Sequence, residues 1–196
     1  MCRGAPVLMH LHGRGTRPEC IACGYLESTT ILVFPYWCKM TKVIPQDFSI
    51  ETARCRLRRP SMEDIPDIFA ATRFAGFNDG MRWEAPTTMA ELDEPFRENS
   101  RAWDAGETFT FTIADLSSNR LLGRIGIRQT NFTDVWNLGF WTHPEYQGQG
   151  YMTEAAIAIM AFGFDQLNAA QIEAGYALWN KSSQRVLEKI GMKFIE

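Results

Sequence analysis

Residues 152–167 constrain this chain more than any other stretch. Ala155, Ala156, Ile157, Ile159, Met160, Phe162 and Phe164 place apolar groups almost all the way round a helix. A helix without a polar stripe is buried, and in a chain of this size its natural cover is a sheet. The flanks read as strands. Val135–Thr142 comes before it, and residues 171–179 come after it with Ile172, Ala174, Tyr176 and Leu178 on one face. Strand, helix, strand implies two parallel strands joined by a right-handed crossover.

The rest of the regular pattern builds outward from that unit. Thr108–Asp115 alternates, with Phe109, Phe111 and Ile113 on one face and threonines on the other, and Ser117-Ser118-Asn119 is a turn into Leu121–Gln129. These are two arms of a hairpin. Upstream, residues 53–59 form a short strand stopped by Pro60. Ser61 and Asp64 can each cap the helix that follows, which carries Ile65, Ile68 and Phe69 inward. Thr88 and Glu91 make a capping box for a second helix, ended by Gly106. Residues 181–190 are the last helix, with Gly191 as its stop, and 192–196 begin a strand. The expected order is β-α-α-β-β-β-α-β-α-β, an α/β domain on a mixed sheet spanning residues 42–196.

Residues 1–41 break this grammar. They are rich in Gly, Pro, Arg and Cys and show no lasting period of 2 or 3.6. They are read as a poorly ordered extension, with residues 1–39 lying ahead of a start at Met40 and removable without loss of fold or coenzyme binding. Residues 31–34 are a candidate strand ended by Pro35. Four of the five cysteines (Cys2, Cys20, Cys23, Cys38) fall here with His10 and His12. One Cys-x-x-Cys beside a His-x-His fits known zinc spacings loosely, so no metal is expected.

Charge and hydropathy exclude several partners. A net charge of −3 argues against a nucleic-acid or anionic-membrane surface. No apolar run reaches the length needed to span a bilayer, and no secretory leader is evident, so a cytoplasmic protein is expected.

The chemistry lies between the fourth strand and the buried helix, at His143-Pro144-Glu145-Tyr146-Gln147-Gly148-Gln149-Gly150-Tyr151-Met152-Thr153-Glu154. Two glycines let successive backbone N–H groups converge, and the helix dipole adds positive potential at the same point. The product is a cradle for a pyrophosphate. The plainer reading is a glycine-rich turn that only turns. Asn180 lies where the next strand gives way to the last helix. Ser183 shares a face with Val186, Leu187 and Ile190 by i, i+3, i+4, i+7 spacing. Asn180 is equally an N-cap, and Ser183 equally a small residue at a helix–sheet contact.

With these residues in place, the chain from about Thr52 onward resembles the GNAT (general N-acetyltransferase) superfamily, in particular the branch containing the ribosomal-protein N-terminal alanine acetyltransferases. Gln147-Gly148-Gln149-Gly150-Tyr151-Met152 is similar to the family's Gln/Arg-x-x-Gly-x-Gly/Ala. Asn180-Lys181-Ser182-Ser183 through Glu188-Lys189-Ile190-Gly191-Met192 is similar to Asn-x-x-Ser…Glu-Lys-x-Gly-Phe. Arg56-Leu57-Arg58 and Leu122-Gly123-Arg124-Ile125-Gly126 agree as well. The resemblance implies acetyl-CoA as co-substrate, with Gln147, Gly148, Gln149, Gly150, Tyr151 and Met152 on its pyrophosphate. It implies that Phe140, Trp141 and Thr142 pair with the pantetheine and that Asn180 bonds it. It further implies that Ser183 returns a proton to the leaving sulfur, so Ser183 and Asn180 are the catalytic candidates. Trp83 and Glu84 are candidates to line the acceptor pocket.

Three departures stand out: Met152 replaces a small residue, Leu187 stands where many relatives carry a tyrosine acid, and Asn137 stands where some carry a glutamate base. Cys55 is read as core rather than nucleophile, so a primary amine is expected to attack directly. At pH 7 deprotonation costs roughly 1 kcal/mol for an α-amino group and roughly 4.6 for a lysine. With no base in evident position, a protein N-terminus is the easier acceptor, and Glu173 is the remaining carboxylate near the site. Relatives continue for about another strand pair, so the edge of strand 171–179 is expected to lie open, with low stability, poor turnover and association as a homodimer. The alternative function is a degenerate or truncated domain that holds coenzyme A without turnover. A Rossmann-type nucleotide binder fits poorly, because the glycines follow the fourth strand and Gly-x-Gly-x-x-Gly is absent.

Overall fold

The computed structural model describes residues 7–13, 43–81 and 83–194. Among the described residues eight strands form one mixed sheet: β1 (Val7–His12), β2 (Ser49–Glu51), β3 (Cys55–Arg58), β4 (Thr108–Asp115), β5 (Leu121–Gln129), β6 (Val135–Thr142), β7 (Gln171–Tyr176) and β8 (Lys193–Phe194). The spatial order is β2-β3-β4-β5-β6-β7-β1-β8. The helices are α1 (Ile65–Ala71), α2 (Asp93–Asp104), α3 (Tyr151–Gln166) and α4 (Lys181–Lys189).

The hairpin and the crossover follow the sequence pattern. β4 and β5 pair antiparallel from Thr108↔Arg128 to Ala114↔Leu121. β6 and β7 are the parallel pair, joined through α3. Phe162 of α3 meets Phe109 and Phe111 edge-on, at centroid distances of 5.6 and 5.5 Å. The opposite face carries α1 and the start of α2, where Ile65, Ile68, Leu92 and Phe96 pack with Leu121. Asp64, at the entry to α1, is buried and bonds Arg58 at 2.7 Å and Thr112 at 2.7 Å. Burial pushes its carboxyl up, but the Arg58 guanidinium, the Ser61 N–H and the Thr112 hydroxyl outweigh that and hold it below its ordinary value.

Two expectations are corrected here. Residues 1–41 do not all lie outside the sheet. Val7–His12 is a strand, and it pairs with β7 along its whole length, from Val7↔Tyr176 to His12↔Gln171. The edge of β7 is therefore not open, and the feature on which a homodimer was expected is occupied by the chain's own N-terminal segment. The cause is side-chain alternation. Val7, Met9 and Leu11 lie opposite Tyr176, Ala174 and Ile172 on the core face, where Met9 is 1% exposed. Lys193 and Phe194 form the short last strand and pair with β1. The candidate strand at 31–34 lies outside the described residues.

A third difference concerns the end of β7. The strand stops at Tyr176, and Leu178 is 62% exposed rather than facing the core. The chain leaves the sheet at Ala177 to reach the cap of α4, and that departure helps to open the site.

Candidate active site

The parallel pairing of β6 and β7 ends at Leu138↔Ala174, although both strands continue beyond it. A cavity of about 490 Å³ opens where they part. Its walls come from Gly139, Phe140, Trp141 and Thr142 of β6, Gly175 and Tyr176 of β7, the loop and first turn at Gln147, Gly148, Gly150, Tyr151 and Met152, and Asn180 and Ser183 of α4.

The loop ahead of α3 is shaped by Gly148 and Gly150, with φ of +76° and +86°. That left-handed conformation is open to glycine and strained for other residues. No N–H group of residues 148–153 has a hydrogen-bond partner among the described residues. Gly148 and residues 150–153, with the positive end of a 16-residue helix, line one cavity. Arg185 and Lys189 of α4 line it too. Donors, dipole and two cations together suit a diphosphate, whose oxygens accept many hydrogen bonds.

Glu154 anchors this loop from behind. Its carboxylate accepts from the Thr52 hydroxyl at 2.6 Å and from the Arg54 backbone N–H and side-chain Nε, each at 2.8 Å. Burial pushes the Glu154 carboxyl up, but these bonds prevail and keep it below its ordinary value. Arg54 Nη1 also donates to the Gln149 carbonyl at 3.1 Å and its guanidinium lies 4.4 Å over the Tyr151 ring. Gln149 thus faces Arg54 and is the one residue of the motif outside the cavity lining.

Asn180 caps α4, accepting from the Ser183 N–H at 3.0 Å. Its oxygen is spent on the helix, which leaves the side-chain N–H₂ as the group it can offer a ligand. Ser183 is half-buried in the cavity wall.

The comparisons with known proteins meet this geometry. The acetyltransferase (GNAT) domain family matches residues 54–193. The chain belongs to the GNAT acetyltransferase family. YnaD of Bacillus subtilis (strain 168), an uncharacterized N-acetyltransferase, is 28% identical over 144 residues, 74% of this chain and 82% of its own. The GNAT-family acetyltransferase from Bacillus anthracis superposes with a TM-score of 0.67 at 25% identity, over 74% of this chain and 84% of that one. The ribosomal L7/L12 alpha-N-protein acetyltransferase RimL, solved with coenzyme A, superposes with a TM-score of 0.67 at 17% identity, over 74% and 83%.

Within this GNAT domain the acceptor side differs from the sequence reading. Trp83 and Glu84 are not in the cavity lining; their loop reaches it through Phe77, Gly80 and Met81. Gly80 lies against Asn180 and Trp179, where an added Cβ would fall 3.1 Å from Asn180 Nδ2, and this contact swings the earlier part of the loop inward. The sequence reading also passed over Tyr176, Arg185 and Lys189. The last two were findable: i, i+4 spacing from Lys181 sets a basic stripe beside Ser182 and Ser183. Cys55 is fully buried in β3 and burial pushes its thiol up to about 11, so it holds no thiolate near neutrality. Among the described residues no three His, Cys, Asp or Glu gather as metal ligands, while Cys20 and Cys23 lie outside those residues. No helix described is long and apolar enough to cross a membrane.

Proposed function

We propose that this chain transfers an acetyl group from acetyl-CoA to a primary amine, within one complex of both substrates and without an acyl-enzyme. The observation that carries the reading is the set of unpartnered N–H groups at Gly148 and residues 150–153, all in the wall of the cavity between β6 and β7. Those groups hold the pyrophosphate, with Arg185 and Lys189 adding charge. Beyond Leu138 the β7-facing edge of β6 has no strand partner, so Phe140, Trp141 and Thr142 offer backbone groups to an extended pantetheine. Asn180 Nδ2 donates to that arm.

The amine attacks the thioester carbon as a neutral nucleophile. The chain's contribution is to position it and to stabilise the oxygen that gains charge. Ser183 supplies a proton to the departing thiolate. Direct attack is favoured because Cys55 is buried and protonated. A protein α-amino group is the acceptor that suits the site, since it loses its proton near neutrality with least cost. RimL, by its name, acts on such a group.

Ser183→Ala tests the assignment. Turnover is expected to fall roughly tenfold or more, with acetyl-CoA affinity nearly unchanged, because the proton is needed only as the C–S bond breaks. Thiol release with peptide amines reads the first quantity and calorimetry the second. Wild-type turnover would return Ser183 to a packing role.

A further inference from the structure

The cavity passes through the sheet and has a mouth on each side of it. The cradle at Gly148 and residues 150–153 opens it on the side of α3. Trp141 packs with the cluster under α1 and the start of α2, on the opposite side. Gly139 and Gly175 share that opposite side by strand alternation, because Leu138 and Ala174 belong to the core under α3. Coenzyme held by the cradle fills the first mouth, so an acceptor enters by the second.

The second mouth is walled by Phe77, Met81, Gly139, Trp141, Gly175 and Trp179. Phe77 is buried and meets Trp141 edge-on, with ring centroids 5.3 Å apart and planes at 90°. Each ring holds the other in place. Trp179 is exposed, and a Cβ added at Gly80 would fall 3.4 Å from its ring, so the loop of Phe77 and Met81 also closes against Trp179. The floor is glycine. A Cβ added at Gly139 would meet nothing within 4 Å, which leaves room for a foreign side chain above the strand.

Charge sorts what can fill that room. Among the described residues the cavity wall holds no Asp or Glu, and its charged side chains are Arg185 and Lys189. Glu173, the carboxylate expected near the site, lies outside the wall and accepts from Gln171 Nε2 at 2.8 Å. An acceptor with several ammonium groups, such as a polyamine or an aminoglycoside, would lose water from each without gaining a carboxylate. Aromatic faces attract one ammonium group, which suits the reacting amine, but they do not match a row of them. An apolar side chain gains by leaving water for the same walls.

We infer that the acceptor's amine is flanked by an apolar side chain seated over Gly139 against Phe77 and Trp141, and that no second cation stands near it; this rests on the acetyl-transfer reading of the cavity. The amine has to reach the thioester where β6 and β7 part, beside Leu138. A side chain on the carbon that bears the amine then lies within its own length of Gly139, the next residue. A peptide that begins with leucine or phenylalanine has this form. Gly139 sets how large the side chain can be, and the two rings set its polarity.

The test uses the full chain, acetyl-CoA, one peptide sequence with its first residue varied, and spermidine. kcat/KM should be roughly tenfold or more higher for leucine than for glycine at the first position, the effect of methylene groups in a fitted pocket, and lowest for spermidine. Gly139→Val fills the room, so the leucine-to-glycine ratio should fall by roughly tenfold whatever happens to the rates in common. Met81→Glu should raise spermidine relative to the leucine peptide by roughly fivefold, the effect of one half-exposed ion pair. That variant keeps the proposal open to refutation if Gly139→Val does not fold. Calorimetry of the same peptides with protein saturated in coenzyme A reads their order without turnover. Equal rates for leucine and glycine, a preference for spermidine, a ratio that folded Gly139→Val leaves unchanged, or no gain for spermidine with Met81→Glu overturns the proposal. Binding in the expected order without transfer upholds the pocket and removes only the reaction. Failure of wild type to bind acetyl-CoA in the same calorimeter removes the reading of the cavity and this inference with it.

Discussion

The two flanks of the sheet are built by opposite means. From β2 to β6, neighbours in space are neighbours in sequence, and every joint is antiparallel. From β7 outward, the next strand is β1, whose residues lie more than 150 positions away, and β8 is held by β1 rather than by β7. The near flank closes on sequential pairings, three by short turns and one, β3 with β4, across the segment that carries α1 and α2. The far flank closes only when the chain's beginning finds its end. The difference assigns the far flank a large share of the folding cooperativity, because long-range pairing must be bought with loop-closure entropy before any contact forms.

The largest expected effect is therefore removal of residues 1–13. It exposes the edge of β7 and the apolar groups under Met9, and it should abolish cooperative thermal unfolding or bring aggregation. Met9→Ala, the milder form, should cost about 2–5 kcal/mol by denaturant titration. If removal of the strand leaves the unfolding transition in place, the far flank does not depend on it and the comparison fails.

Next comes Asp64→Ala on the near flank, which strands a half-buried Arg58 and should cost about 3 kcal/mol. Asp64 titrates below its ordinary value when folded. Its contribution is therefore present above the unfolded carboxyl pKa and is lost as pH falls through the lower folded value. Wild-type stability should decline on acidification below about pH 4, and the decline should be shallower in the variant. The smallest loss in Tm is expected for Asp115→Ala, in the turn between β4 and β5. There the carboxylate accepts from the N–H and hydroxyl groups of Ser117 and Ser118 and is held down to about 2. Because this joint is local and exposed, its loss should leave the order of the three effects intact.

The same contrast explains what could be read in advance. The bounds of β4, β5 and β6 follow from alternation and turn residues within a few positions, and α3 from its all-round apolarity. Val7, Met9 and Leu11 alternate with Leu8, His10 and His12, but apolar Leu8 blurs the period. A six-residue alternation standing alone, with its partner at the other end of the chain, gives no local turn signal to support it. The departure of the chain at Ala177 was likewise hidden, since Leu178 continues the apolar phase of β7 and only the cap of α4 at Asn180 pulls it away. In the site, the backbone cradle at Gly148 and Gly150 was legible because glycine is demanded there by φ. The loop contacts of Phe77, Gly80 and Met81 depend on packing against Trp179 and Asn180, which no spacing announces.

The central claim is that the donors ahead of α3 hold the diphosphate of acetyl-CoA. Calorimetric titration of acetyl-CoA into wild type and Gly150→Asp tests it directly. The substitution places a side chain at a φ of +86°, with its Cβ 3.5 Å from Arg54 Nη2, and adds a negative charge beside the cradle. Like charges set against each other cost several kcal/mol, so affinity should fall by roughly 100-fold or more. Thermal unfolding of the ligand-free variant checks that it still folds. A folded Gly150→Asp protein that binds acetyl-CoA as tightly as wild type would contradict the account.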